Sequence, residues 1–184
     1  MSEKGIIAIV GCPATGKSVV ARALAEMIHT EHIDYSEYLL KINAARVHND
    51  EIVIEDKKAK NVLGKLEEGI VSGVYALDYL DSKKIKNVYL LRCNPKILFY
   101  RYLVRNYDLE KIKNNLTSEY LDVCLKMALE KVGPQKVNQV DASNDEPSYI
   151  ALRIYSSIKN GFKIFDKVDW LSQISRPFDL ILMK

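Results

Sequence analysis

The chain has 184 residues, with 27 basic and 24 acidic side chains and a net charge of +3. This length suffices for one domain with a hydrophobic core, and the ordinary composition (48% hydrophobic, 28% charged) excludes a disordered chain. The mild charge does not demand a nucleic-acid partner, and the three scattered cysteines, without a CxxC pair, exclude a disulfide framework or a zinc site. Because the apolar run near the start is too short for a signal peptide, we expect a cytoplasmic protein.

The first predicted elements flank a glycine-rich loop. Residues 5–10, GIIAIV, are apolar as in a buried strand, and residues 17–29 have a helical period. Between them GCPATGKS, from Gly11 to Ser18, has the GxxxxGK[ST] pattern of a phosphate-binding loop. In such a loop, backbone N–H groups face the phosphates, Lys17 reaches the β- and γ-phosphates, and Ser18 binds Mg²⁺. The sequence therefore predicts a nucleotide site.

The rest of the chain alternates short apolar runs with longer segments of helical period. In chain order we expect a short edge element at 31–34, a helix over 35–46, an extended segment at 51–55, a helix at 57–68, and strands at 69–74 and 87–92. These are followed by a helix from Pro95 to Leu103 and by a polar interruption at 105–115. Next comes a long helix up to Gly133, with Ile112, Leu116, Tyr120, Val123 and Met127 on one face. A strand at 136–140 and a helix ending at Asn160 complete the prediction.

This alternation is typical of an α/β protein with a parallel sheet. We expect a P-loop NTPase fold: a doubly wound, five-stranded parallel sheet flanked by helices, with the nucleotide at the carboxyl ends of the strands. Residues 1–160 form this domain in the prediction, and 161–184 form a tail that packs on it. The tail has short hydrophobic elements of its own, VDWL and FDLILM.

The type of P-loop protein is narrowed by what the chain lacks. It has no NKxD base-recognition motif of the GTPases, and it is too short for a motor or helicase ATPase. Small kinases and small ATPases remain. Among these the chain resembles the adenylate kinase isoenzyme six, or CINAP, family through GCPATGKS, VYLLRCNP (88–95) and RYLVRNYDLEKIKNN (101–115), the last resembling the family's lid pattern R-G-Y-x-x-x-K-[IL]-x-x-N.

The resemblance, which covers roughly residues 5–160, implies a set of site residues. Contacts to ATP would come from Gly11, Ala14, Gly16, Lys17, Ser18 and Val19. Arg105, in a lid at about 104–115, would lean on the nucleotide and stabilise charge on the transferred phosphoryl group. A solvated charge at a helix end is the alternative for Arg105. An acceptor-nucleotide region would occupy about 34–55.

Three positions depart from the family pattern. The strand at 69–74 lacks the acidic residue and the histidine expected at its end, so that the acid falls on Ser72 or Gly73. The acceptor-site arginine falls near Leu40, where Lys41 or Arg46 would have to replace it, and a lysine cannot make a bidentate contact. The lid glycine is Asn106, a milder change because asparagine tolerates left-handed backbone geometry.

Two segments offer substitutes for the missing acid. Asp34 either faces the acceptor nucleotide or caps the helix that follows it. Glu55 and Asp56 either replace the acid or cap the helix at 57–68, and capping is the favoured interpretation. The three histidines lack metal-ligand spacing and are expected at the surface.

The resemblance implies an adenylate kinase-like enzyme that binds ATP and Mg²⁺ and transfers the γ-phosphate to AMP or a related nucleoside monophosphate, with ATPase activity as a companion reaction. The missing acid implies weak turnover. Two alternatives stay open: an ATP-dependent assembly factor that binds a small-subunit ribosomal protein or rRNA, and a pseudokinase that binds ATP with little turnover. No membrane partner is expected.

Overall fold

The computed structural model describes residues 5–48 and 51–173. Its main sheet has five parallel strands in the order β2-β5-β1-β6-β7. The strands are β1 (Ile6–Val10), β2 (His32–Asp34), β5 (Gly69–Ser72), β6 (Ile85–Arg92) and β7 (Val137–Asp141), and a separate antiparallel hairpin contains β3 (Ala45–His48) and β4 (Glu51–Ile54). The predicted five-stranded parallel sheet is therefore confirmed.

Helices cover both faces of this sheet. They are α1 (Lys17–Ile28), α2 (Tyr35–Lys41), α3 (Asp56–Leu63), α4 (Ala76–Tyr79), α5 (Pro95–Val104), α6 (Leu109–Tyr120), α7 (Val123–Val132) and α8 (Pro147–Asn160). Helices α1 and α8 pack together on one face, where Leu24 and Ile154 are fully buried. The other face is covered by the remaining helices and carries the larger core cluster, which includes Leu63 and Leu98. This arrangement is the doubly wound fold predicted from the sequence.

The predicted helix over 35–46 is wrong in its second half. Helix α2 ends at Lys41, and Asn43 has a left-handed φ of 55°, which turns the chain out of the helix. Strand β3 then pairs with β4, with Arg46 opposite Val53. Helical spacing cannot distinguish the end of α2 from β3, because β3 is mostly exposed and is formed by pairing with a distant segment. The helix predicted at 57–68 also ends early, at Leu63.

The predicted long helix is two helices, and the polar interruption is shorter than expected. Only residues 105–108 are non-helical before α6, and α6 and α7 are separated at Asp122, which has a left-handed φ of 56°. There Nη2 of the buried Arg92 lies 2.6 Å from the Asp122 carboxylate, and its Nε lies 2.8 Å from Glu119. This ion pair across the fold provides a reason for the break at this position, and helical periodicity cannot reveal it.

Residues 161–173 lie against the sheet and α8. Phe165 bridges to Gln139 of β7 in parallel, and Asp166 forms an ion pair with Arg153 of α8. Trp170 is buried, and its indole N–H donates a hydrogen bond to Glu119 at 3.0 Å. VDWL lies in this described part of the tail, whereas FDLILM lies outside the described residues. Among the helices of the described chain, all are too short or too polar to cross a lipid bilayer.

Candidate active site

The glycine-rich loop joins β1 to α1 at the carboxyl edge of the sheet. Gly11 has a φ of +142°, and a Cβ there would lie 2.3 Å from the carbonyl oxygen of Leu91 on β6. Gly16 caps α1 with a left-handed φ of 96°. These two positions require glycine, because one needs close backbone approach and both need positive φ. The loop therefore has the conformation that presents the N-terminus of a 12-residue helix, α1, to an anion.

Two side chains of α5 donate hydrogen bonds to backbone carbonyls of the phosphate loop. Arg101 donates a hydrogen bond to the carbonyl of Ala14 at 3.0 Å, and the Tyr102 hydroxyl donates one to the carbonyl of Pro13 at 3.0 Å. Ala14 itself has a left-handed φ of 60°. Because these carbonyls are held by α5, the strained loop is fixed in place before any ligand binds.

Lys17 lies at the first position of α1 and is only 8% exposed. Its Nζ donates a hydrogen bond to the carbonyl of Cys12 at 2.6 Å. The pKa of Lys17 is lowered to about 8, mainly by burial; the positive charge of Arg105 acts in the same direction, whereas Asp34 acts against it. Arg105 is the C-terminal capping residue of α5, and its side chain is exposed. A phosphate next to Lys17 would favour its charged form.

Ser18 is paired with Asp34 at the carboxyl edge. Its Oγ donates a hydrogen bond to Oδ2 of Asp34 at 2.6 Å. The other carboxylate oxygen, Oδ1, accepts hydrogen bonds from the backbone N–H groups of Ser36 and Glu37, so Asp34 also caps α2. The capping interpretation of Asp34 is therefore confirmed, while its other carboxylate oxygen faces the phosphate loop. A contact of Asp34 with the acceptor nucleotide stays a prediction.

At the end of β5, where the family pattern has an acidic residue, this chain has Ser72, which pairs with His32. Ser72, at the end of β5, is fully buried, and its Oγ lies 2.9 Å from Nε2 of His32. Burial lowers the pKa of His32, which favours the neutral ring. Strand β2 runs beside β5 with Asp34 opposite Ser72, so the neighbouring strand supplies the carboxylate at the same level of the sheet. His32 is therefore partly buried against β5 rather than a surface histidine.

Glu55 lies elsewhere. It precedes α3, but its side chain makes no capping hydrogen bond. It lines a cavity of the hairpin with Arg46, and no residue of the phosphate loop lines that cavity. Asp56 accepts a hydrogen bond from the Tyr79 hydroxyl at 2.9 Å. Of the three candidate substitutes for the acid, Asp34 is the one that accepts a hydrogen bond from Ser18.

A pair of thiols lies under the loop. The Sγ atoms of Cys12 and Cys124 are 3.8 Å apart, and both side chains are buried. The hydrogen bond to Cys124, together with burial, raises the pKa of Cys12, so this residue is a protonated thiol. A small protonated side chain here fits the packing role that we expect of a buried cysteine.

The residues present fit a magnesium–nucleotide complex. The Ser18 hydroxyl and the Asp34 carboxylate provide adjacent oxygen atoms, the ligand type that Mg²⁺ prefers. Within the described residues there is no cluster of three or more acidic, histidine or cysteine side chains that could hold a metal.

A second cavity opens beside the loop. It has a volume of about 660 Å³ and lies between Pro13, the start of α2, strand β4, the segment after β5 and helix α6. Its charged lining residues are Asp108, Glu110 and Lys111. Lys41 ends α2 and is exposed, and Arg46 lies on the exposed β3 strand, so neither proposed replacement for the acceptor arginine lines this cavity.

The segment that resembles a lid forms one wall of this cavity. Asn106 has a left-handed φ of 54°, as expected for a residue at the glycine position of the family pattern. The Tyr107 ring stacks on Tyr102, with centroids 5.5 Å apart, and Lys111 Nζ lies 4.7 Å from the Tyr107 centroid. The segment therefore connects directly to Tyr102, which holds the loop.

The predicted nucleotide-binding residues thus cluster in the structure. Gly11, Ala14, Gly16, Lys17 and Ser18 form one loop, with Arg105 near Lys17, whereas Val19 is 56% exposed on the first turn of α1. The sequence did not reveal the hydrogen bonds of Arg101 and Tyr102 to the loop. Their spacing on α5 gives no local signal, because the contact joins residues almost 90 positions apart.

The sequence also matches a protein family and several named relatives. Residues 7–122 match the family described as "AAA domain". A protein of Thermococcus kodakarensis named "Putative adenylate kinase" is 30% identical over 180 residues, covering 96% of this chain and 97% of that protein. A protein of Pyrococcus abyssi with the same name is 32% identical over 167 residues, covering 90% of this chain and 91% of that protein.

Solved structures share the fold. A shikimate kinase from Acinetobacter baumannii in complex with shikimate has a TM-score of 0.62 and 19% identity, and covers 85% of this chain and 94% of its own. The YorR protein of Bacillus subtilis, in complex with phosphorylated GDP, has a TM-score of 0.61 and 18% identity; the match covers 85% of this chain and 96% of the YorR chain. At these identities the likeness is one of fold alone.

Proposed function

Because the chain belongs to the AAA-domain family and is similar over nearly its whole length to archaeal proteins named "Putative adenylate kinase", we propose that it transfers the γ-phosphoryl group of ATP to AMP or a related nucleoside monophosphate. The finer assignment to the isoenzyme six, or CINAP, group is part of this proposal. It is supported by the lid-like segment and by Asn106, whose backbone has the conformation of a glycine.

The observation that carries the proposal is the Ser18–Asp34 hydrogen bond of 2.6 Å. It places a carboxylate beside the hydroxyl that would bind Mg²⁺, at the end of a phosphate loop. The cavity of about 660 Å³ begins at Pro13 of the same loop, so a second substrate would lie next to the bound phosphates. A nucleotide site with an adjoining pocket of this size suits phosphoryl transfer between two small molecules.

The chain's own groups would act by position and charge. Backbone N–H groups of the loop and the N-terminus of α1 would bind the β- and γ-phosphates, and Lys17 would neutralise charge on them. Arg105 would stabilise the charge that develops on the transferred group. Mg²⁺ held by Ser18 and the phosphates would supply further charge neutralisation, and Asp34 would orient that site through Ser18. Because Tyr102 donates a hydrogen bond to the phosphate loop, the loop would change its conformation little during phosphoryl transfer.

Asp34 also changes the expectation of weak turnover. That expectation rests on Ser72, which stands where the family has an acid. A carboxylate on the adjacent strand, opposite Ser72, supports a site that keeps its acid at another position. We therefore propose that Asp34, rather than Glu55, fills this role.

The test is a coupled measurement of ATP consumption and ADP formation with AMP, GMP, CMP or UMP, and with no acceptor. We expect two ADP per ATP consumed when AMP is present, and little turnover without it. Lys17→Ala should abolish turnover without changing the fold, and Lys60→Ala, an exposed lysine on α3, is the matched control. Equal stabilisation of wild type and Lys17→Ala by ATP in thermal melts would contradict the nucleotide site.

The same assay separates the alternatives. Turnover that is independent of every monophosphate would indicate an ATPase, the activity required of an assembly factor. ATP binding without turnover would indicate a pseudokinase. A ribosomal protein or rRNA partner and a cytoplasmic location stay predictions from the sequence.

A further inference from the structure

Two of the chain's three cysteines meet between the phosphate loop and α7. Cys12 lies in the loop and Cys124 in the first turn of α7, 112 positions away in the chain, and their Sγ atoms are 3.8 Å apart. The sulfur atoms of a disulfide are about 2 Å apart, so these thiols need to approach by about 1.8 Å to form one. The third cysteine, Cys93, faces the carbonyl of Asn94 instead, at 3.9 Å. The fold therefore creates one pair of thiols, which the cysteine spacing in the sequence does not predict.

The two thiols differ in exposure and in acidity. Cys124 is 9% exposed and Cys12 only 1%, so a small oxidant reaches Cys124 first. The hydrogen bond from the Cys12 thiol lowers the pKa of Cys124; burial acts against this shift, and the positive charges of Lys17 and Arg92 support it. Because the thiolate is the form that reacts with peroxides, Cys124 is the reacting thiol. Cys12, which contacts it, is placed to resolve the oxidised product.

A bond between these sulfur atoms would change the phosphate loop. The carbonyl of Cys12 accepts the hydrogen bond from Lys17 Nζ at 2.6 Å, so the Cys12 backbone sets the position of that amine. The start of α7 is anchored, because the carboxylate of Asp122, two residues before Cys124, is paired with the buried Arg92 at 2.6 Å. The movement that joins the sulfur atoms therefore falls mainly on the loop.

We propose that Cys12 and Cys124 form a reversible disulfide when the protein meets a peroxide, and that this disulfide lowers the affinity of the phosphate loop for ATP. The inference rests on the part of the proposed function that assigns ATP to this loop, and it needs no acceptor. Because the disulfide and the nucleotide favour different loop conformations, each weakens the other by the same factor.

The reaction with hydrogen peroxide takes two steps. The Cys124 thiolate attacks one peroxide oxygen, so that an S–O bond forms, the O–O bond breaks, and the leaving hydroxide takes up a proton to become water. The Cys12 sulfur then attacks the sulfenic acid of Cys124. The S–S bond forms, the S–O bond breaks, and the second hydroxide leaves with the Cys12 proton as water. Two thiols are oxidised by two electrons, and one peroxide is reduced to two water molecules.

The first measurement tests the bond itself. Reduced full-length protein is treated with hydrogen peroxide, and the remaining thiols are blocked with N-ethylmaleimide. We expect the intact mass to fall by two hydrogen atoms and one thiol, that of Cys93, to be blocked under denaturing conditions. The peptide map should link the peptides of Cys12 and Cys124. Dithiothreitol should reverse the change.

The second measurement tests the effect on the nucleotide. Calorimetry with a non-hydrolysable ATP analogue and Mg²⁺ compares the reduced, oxidised and re-reduced protein. The dissociation constant should rise at least about tenfold on oxidation and return on reduction. In a glutathione redox buffer, a saturating concentration of the analogue should lower the equilibrium ratio of disulfide to dithiol by the same factor.

The controls separate this pair from general oxidation. Cys124→Ser should bind the analogue like the reduced wild type and should keep that affinity after peroxide. Cys124→Ala, which adds no buried hydroxyl, serves if the serine variant does not fold. Cys93→Ala removes the other buried thiol and is the matched control, so it should still form the disulfide and lose affinity.

Each remaining outcome has a defined meaning. The inference is overturned if peroxide leaves both thiols free or carries Cys124 to a sulfinic acid without a linked peptide. It is also overturned if the disulfide forms with unchanged affinity, or if Cys124→Ser loses affinity as wild type does. A reduced wild type that binds no ATP analogue would refute the nucleotide site and its redox control together, while the peptide map would still decide whether the disulfide forms.

Discussion

The buried lysine of the phosphate loop makes nucleotide affinity depend on pH. Burial lowers the pKa of Lys17 to about 8, whereas the ordinary value is 10.5. Above pH 8 the free protein therefore has a neutral amine at the position where phosphates need a positive charge. Nucleotide binding favours the charged form, so binding above this pH must be accompanied by uptake of a proton. We expect affinity for ATP to fall as the pH rises.

The size of the effect follows from the fraction of Lys17 that is charged before binding. With a pKa of about 8, that fraction is about three quarters at about pH 7.5 and about one tenth at about pH 9. The dissociation constant should therefore rise about eightfold between these two values. The same shift acts on stability with the opposite sign. Between pH 8 and 10.5 Lys17 binds its proton more tightly in the unfolded chain than in the folded protein. The free energy of unfolding of the nucleotide-free protein should therefore increase by up to about 3 kcal/mol as the pH rises through this range.

Calorimetry at several pH values, in two buffers with different ionisation enthalpies, measures both the dissociation constant and the number of protons taken up. Lys17→Arg is the control, because arginine keeps its charge throughout this range and its affinity should be nearly independent of pH. An ATP affinity that is constant from about pH 7.5 to about pH 9, with no proton uptake, would refute the assigned role of Lys17.

Further predictions concern the acid, the lid-like segment and the buried ion pair. Asp34→Asn keeps a residue that can cap α2 but removes the charge, so kcat should fall at least about tenfold with a melting temperature close to wild type; an unchanged kcat would return the question to Glu55. Ser72→Asp should slow turnover, because it adds a second carboxylate opposite Asp34, and initial rates at saturating Mg²⁺ decide this. Amide hydrogen exchange at residues 105–115 should slow with an ATP analogue, and no change would remove these residues from nucleotide closure. Glu119→Ala leaves a buried guanidinium poorly compensated, so denaturant unfolding should show a loss of about 3–5 kcal/mol.

The phosphate loop and the sheet could be predicted from the sequence because their signals are local. Gly11 and Gly16 are fixed by the backbone geometry of one turn, and continuous apolar runs identify β1, β5 and β6 as central strands. The helix ending at Gly161 is also marked locally, by a glycine with a left-handed φ of 70°.

What the sequence did not reveal depends on contacts between distant segments. The break before α7 coincides with the bond from Arg92 to Asp122, 30 residues away, and no periodicity encodes it. The sequence named both Asp34 and Glu55 as candidates for the missing acid, and it could not decide between them for the same reason. Asp34 precedes a helix and looks like a cap, and only the pairing of β2 with β5 brings it opposite Ser72.

Trp170 gives the protein a built-in optical reporter, since it is the chain's single tryptophan. Its indole is 6% exposed and donates to Glu119, the same carboxylate that accepts hydrogen bonds from Arg92 and from the backbone N–H of Cys93. The intrinsic emission should therefore be blue-shifted in the folded protein and should move to longer wavelength when this buried network comes apart. Helix α5, which donates a hydrogen bond to the phosphate loop, begins just after Cys93. We therefore expect the Trp170 emission to report nucleotide binding in a stopped-flow instrument without an added label.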